Sequence, residues 1–148
     1  MRILLLGLVL LGLIGLLAEL TLLEHYASVW QAVPLVALGL ALGSALAVAR
    51  RPSRGSVQAL RLTMALLVVT GALGIWLHFD ENRGFERELS PDTAGLALIW
   101  MAMRGATPLL APGAFVQLGL LGLIVGYDHP ALRRPARREA VSVEEEER

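Results

Sequence analysis

Residues 3–23, 29–49, 57–79 and 108–127 are four stretches in which Glu19, Arg61 and His78 are the only Asp, Glu, Arg or His side chains. A helix rises about 1.5 Å per residue, so about 20 apolar residues match the roughly 30 Å hydrocarbon core of a bilayer. Each stretch has that length, and together they take up more than half of the 148 residues. A mean hydropathy of +0.62, with 55% hydrophobic residues, suits neither an ordinary soluble domain nor a disordered one. The expected fold is therefore an all-α polytopic membrane protein, a bundle of four transmembrane helices over 1–127. Little chain is left for a soluble catalytic domain.

The ends of the stretches carry local signals. The first is too long for the roughly 7–15 residue core of a signal peptide, has only Arg2 before it and no A-x-A site after it, so it reads as a retained span. Pro34 stands in the first turns of the second, which stops at Arg50-Arg51-Pro52. Ser56 reads as the N-cap of the third, and Asp80-Glu81-Asn82 returns the chain to water. Thr107 reads as the N-cap of the last, with Pro112 placed to delay or kink it.

Orientation follows from the arginines. With four spans, Arg2, the connection Arg50/Arg51/Arg54/Arg61 and the tail Arg133/Arg134/Arg137/Arg138 fall on one side, which the positive-inside rule makes cytoplasmic. The other side holds Glu24, Asp80, Glu81, Glu86, Glu88 and Asp92, with Tyr26, Trp30, Trp76, Phe79, Phe85 and Trp100 near the interface. There is no Lys, and all 13 basic residues are Arg; with so much Ala, Gly and Leu, this composition points to a GC-rich bacterial genome. The expectation is a multi-pass protein of the bacterial inner membrane with both termini cytoplasmic.

Between the third and last spans, Ser90-Pro91-Asp92 resembles a helix start, and Gly105 a stop. A helix over about 91–104 is apolar on nearly every face yet too short to cross, so it is expected to lie in the outer interface or to re-enter the bundle. A five-span arrangement would make it a full crossing and move the tail outside. The segment 128–148 is basic, then acidic through Glu144–Glu147, and is expected to be a solvated, disordered cytoplasmic tail.

Helices in lipid gain no hydrophobic free energy by meeting, so small residues that let backbones approach mark where they touch. Gly12 and Gly15 precede Glu19, Gly71 and Gly74 precede His78, and Gly119 and Gly122 precede Gly126, each at i, i+3, i+7 on one face. Gly39, Gly43 and Ala47 repeat at spacing four. All these stripes are read as surfaces facing other helices. Glu19 and His78 stand at equal distances along the first and third spans, so a hydrogen-bonded Glu19–His78 pair is expected to offset the cost of polar groups in lipid. The alternative is that each side chain reaches separately for the headgroups.

Reactive groups are scarce. No cysteine is present, which excludes disulfides, thiolate metal sites and cysteine nucleophiles. The zero net charge argues against nucleic-acid binding. No G-x-x-x-x-G-K-[ST] loop or G-x-S-x-G elbow occurs, and the hydroxyls of Thr63 and Thr70 are expected to bond carbonyls of their own helix. His25 and His78 near the outer face are candidate ligands for haem or, with Glu24 or Asp80, for a metal ion, without a supporting spacing. Arg104 with Thr107 at the start of the last span is a candidate contact for an anion or substrate. The expected function is therefore that of a non-catalytic accessory or structural subunit, or a small homo-oligomer, without a cofactor. Its partners are the lipid bilayer and another membrane protein or itself. A small transporter or channel for an ion or anion is the alternative, and a haem- or metal-binding redox subunit the third reading.

Overall fold

Five α-helices and one short 3-10 helix make up residues 1–133, the part of the chain that the computed structural model describes; no strand occurs among these residues. α1 (Arg2–Leu22) and α2 (Val29–Arg50) are joined by a turn, and Ser28 caps α2 by accepting a hydrogen bond from the Gln31 N–H at 3.3 Å. α3 (Arg54–Leu89) has 36 residues, about 54 Å of helix. α4 (Gly95–Met103), α5 (Gly113–Gly126) and the 3-10 helix Pro130–Leu132 complete the order. By length and composition α1, α2 and α3 can each cross a membrane, and α5 is a shorter apolar helix.

α1 lies against α2 and α5, and α3 lies against α2, α5 and α4. The helices α1, α2, α3 and α5 thus form a closed circuit in which α1 and α3 stand across from one another. Val9 and Leu13, Leu38 and Ala41, Leu60 and Met64, and Phe115 and Val125 fill the interior. The outside of the circuit is also apolar: Ile3 is 86% exposed and Trp30 82%. Water solvates such a surface at high cost, whereas hydrocarbon does not.

Several element boundaries differ from the sequence reading. α3 starts two residues before Ser56: Ser53 is the cap, and Ser53 and Ser56 each bond the other's backbone N–H in a reciprocal capping box. At its other end α3 does not stop at Asp80-Glu81-Asn82. Leaving an apolar stretch does not require leaving the helix, and no breaker follows until Ser90-Pro91; Arg83 pairs with Asp80 one turn back on the way. Ser90-Pro91-Asp92 in turn forms a tight turn, closed by the Thr93 N–H donating to the Ser90 carbonyl at 3.0 Å, since Pro followed by Asp suits the middle of a turn as well as a helix start. The helix expected over 91–104 is therefore only Gly95–Met103. It folds back along the end of α3, bringing Ala102 to Asn82.

The last apolar helix starts at Gly113, not Pro108. Residues 108–112 run instead as tight turns, with the Gly113 N–H donating to the Leu110 carbonyl at 2.9 Å. Of the segment expected as a free tail, residues 128–133 pack against the helix ends: Ala131 and Leu132 are partly buried on the interior cluster. The rest of that segment, 134–148, lies outside the described residues.

Candidate functional site at the break before the last helix

Gly71, Gly74, His78 and Asn82 form one stripe along α3, and the segment between α4 and α5 is seated on it. A methyl group at Gly71 would lie 2.7 Å from the Pro112 carbonyl oxygen, and one at Gly74 2.8 Å from the Pro112 ring. Only glycine lets the proline turn approach this closely.

The two polar members of the stripe satisfy backbone groups that the break leaves over. In a continuous helix the Pro108 carbonyl would accept from the N–H of residue 112, but Pro112 has none. His78 replaces that donor, its Nδ1 lying 3.0 Å from the Pro108 oxygen. The carbonyl can only accept, so the proton is on Nδ1. One turn further along α3, Asn82 is 2% exposed and acts as a substitute peptide group. Its Nδ2 donates to the Ala102 carbonyl (3.0 Å) and the Thr107 carbonyl (2.9 Å), and its Oδ1 accepts from the Thr107 N–H (3.0 Å). Gly105 sits directly on the Asn82 side chain and leaves no room for a Cβ. Unpaired backbone groups away from water are costly; Asn82 pairs both groups of Thr107, and His78 and Asn82 add a donor to the Pro108 and Ala102 carbonyls, which otherwise accept only long bonds of 3.4 Å from the Ala111 and Gly105 N–H groups.

Below the break α5 runs along the rest of α3. A methyl at Gly119 would lie 2.6 Å from the Met64 carbonyl oxygen, one at Gly122 would run into the Met64 side chain, and one at Gly126 would lie 2.8 Å from the Arg61 Cγ. Gly12 of α1 faces Leu118 of α5 in the same way. The stripes Gly71/Gly74 and Gly119/Gly122/Gly126 thus face other helices, as does Gly12. Gly15, Gly39 and Gly43 do not: a methyl at any of them meets open space. On α2 the inward face is Ala37, Ala41, Ala45 and Ser44 instead. The Ser44 hydroxyl lies 2.7 Å from the Thr63 hydroxyl and ties α2 to α3. Thr63 also bonds the Ala59 carbonyl of its own helix at 3.0 Å, as expected; Thr70 makes no such bond.

The Glu19–His78 pair is not formed. His78 is engaged with Pro108, α1 and α3 are not neighbours in the circuit, and Glu19 is exposed on α1 with no hydrogen bond or ion pair among the described residues. Equal distance along two helices fixes depth but not facing direction. The Arg104–Thr107 anion contact is not assembled either. The Thr107 N–H is already committed to Asn82, and Thr107 is not a helix cap because α5 begins six residues later. The Arg104 guanidinium stands 5.8 Å from the centre of the Trp100 ring, a cation–π arrangement. His25 lies in the turn after α1, and no group of three His, Asp or Glu side chains suited to a metal occurs among the described residues.

The end of the bundle where α1 begins and α5 stops is held by charges. Arg2 Nη2 donates to the Tyr127 carbonyl (3.0 Å) and the Asp128 carbonyl (2.9 Å), so the first helix caps the end of the last. Arg133 binds Asp128 at 2.7 Å, and this hydrogen bond and charge hold the Asp128 carboxyl below its ordinary range. His129 accepts from the Ala131 N–H at 3.2 Å; partial burial, helped by the charge of Arg2, lowers its pKa from the usual value.

The contacts made by Asn82, Ser44 and Arg2 are not anticipated by the sequence reading, which uses Arg2 only for orientation and Asn82 only as part of the exit to water. Asn82 has a visible signal, since it continues Gly71, Gly74 and His78 at i+11. Comparison with protein-family models, with curated proteins and with solved structures finds no match.

Proposed function

We propose that this chain is a four-span protein of the bacterial inner membrane that serves as a non-catalytic accessory or structural subunit, or assembles with itself. The observation that carries the reading is the seam along α3. From Asn82 beside Thr107 to Arg61 beside Gly126, the chain runs down α3 over a rise of 21 residues, about 32 Å. That is the thickness of a hydrocarbon core. Residues 107–126 therefore make the fourth crossing, partly as α5 and partly as a proline-broken strap. Non-helical backbone at such depth is tolerated only where neighbouring groups satisfy it, which is the work of His78 and Asn82. Arg2 at the end of α5 supports placing the N-terminus and the chain after Tyr127 on the same, Arg-rich side.

The polar side chains along this seam are committed to holding backbone, which favours a supporting role over chemistry. Purification at native abundance in mild detergent, with the mass of the intact species measured, tests it. A stoichiometric second protein, or a defined multiple of the 15.9 kDa chain, is expected. A lone monomer that drives solute flux in proteoliposomes would reverse the assignment.

A further inference from the structure

Glu19 is the one acidic side chain within the apolar length of α1, and nothing in the described chain answers it. It is exposed, it makes no hydrogen bond or ion pair among the described residues, and Leu16, Leu17, Leu20 and Leu22 surround it in sequence. One turn below, Gly15 faces open space, and Ala18 beside it is also exposed. A neighbouring helix can therefore approach the α1 backbone closely at the level where the carboxyl projects. A carboxylate on a lipid-facing surface is costly and is normally met by a paired group.

The structure points to what that group is. Of the arginines at that end of the chain, Arg83 is paired with Asp80, Arg104 lies against Trp100, and Arg83, Arg87 and Arg104 all stand beyond the level of Glu19, on the end of α3 and after α4. In a symmetric pair of copies meeting along this face, Glu19 would oppose Glu19. We infer that the α1 face at Gly15, Ala18 and Glu19 receives a transmembrane helix of a different protein, one carrying an Arg, Lys or His at the depth of Glu19. The inference rests on the accessory-subunit form of the reading above and names the face and the chemistry of the partner.

A photoreactive residue at Ala18 of the full chain, irradiated in native membranes, reads this contact directly. The expected adduct is with an apolar segment of about 20 residues that contains a basic side chain. It is lost with Glu19→Gln and with Gly15→Leu, and kept with Gly39→Leu. Glu19→Arg abolishes it, and exchanging the partner's basic residue for Glu restores it. An adduct of twice the mass of the chain, an adduct indifferent to Glu19→Gln, or labelling of lipid alone would each overturn the inference. A stoichiometric partner that co-purifies while the Ala18 probe stays silent would leave the subunit reading intact and remove only this face.

Discussion

α5 and α2 carry the same kind of small-residue stripe and put it to opposite uses. Gly119, Gly122 and Gly126 are filled by Met64, Val68 and Arg61 of α3, whereas Gly39 and Gly43 face open space. α2 has a second stripe at the same spacing, Ala37, Ala41 and Ala45, and this one is buried. Because α2 is apolar all round, hydropathy cannot choose between its two small faces. The hydroxyls choose: Ser44 lies on the alanine face, where Thr63 meets it. Glycine spacing thus marks a flat surface, and a polar group that needs a partner marks which flat surface turns inward.

The largest effect should separate these two stripes. Gly119→Leu is expected to cost about 3 kcal/mol or more, because even its Cβ would meet the Met64 backbone, which cannot move aside as a side-chain end could. Gly43→Leu should stay within about 0.5 kcal/mol. Unfolding in mixed detergent measures both, and equal costs would break the contrast.

Next in size is Asn82. Asn82→Ala leaves the Thr107 carbonyl and N–H without partners and takes from the Ala102 carbonyl one of its two donors, and should cost about 2–4 kcal/mol. Asn82→Asp should be no better, since a carboxylate can still accept from Thr107 but presents oxygen to the two carbonyls. Rescue by Asp would contradict the donor role assigned to Nδ2.

His78→Ala should cost about 1 kcal/mol by leaving the Pro108 carbonyl with only its 3.4 Å bond from the Ala111 N–H. Pro112→Ala supplies the missing N–H, so the cost of His78→Ala should shrink in that background. It should be unchanged in a Glu19→Ala background. A double-mutant cycle reads both couplings.

The smallest effect is at the end where α1 begins and α5 stops. Folding holds His129 below its ordinary pKa, so the folded state disfavours its charged form. The contribution is complete above about pH 6.5 and is lost as pH falls through that value toward the lowered one. A melting temperature that declines slightly below about pH 6.5, with the decline flattened in His129→Gln, is expected.

The long helices are legible in the sequence because they follow from uninterrupted apolar length, and Arg50-Arg51-Pro52 marks the end of α2. The glycine faces of α3 and α5 are legible too, because two stripes of matching spacing lie on helices that touch. The expected pairing of Glu19 fails because sequence fixes distance along a helix while the circuit of neighbours fixes what lies opposite. The anion site at Thr107 fails for a related reason: a free N–H in sequence is free only until a neighbouring helix supplies an acceptor, here Asn82. The late start of α5 turns on a competition between Pro112 and the apolar pattern, and hydropathy carries no term for a missing N–H.

The proposed topology stands on the strap and α5 completing a fourth crossing. Since the chain contains no cysteine, single-cysteine variants at Gly55, Glu88 and Ser142 can be labelled in intact cells and in inverted vesicles without a background. Positions 55 and 142 should react from one side and 88 from the other. Positions 88 and 142 reacting from the same side would show that residues 107–126 do not traverse the bilayer, and the role given to His78 and Asn82 would fall with them.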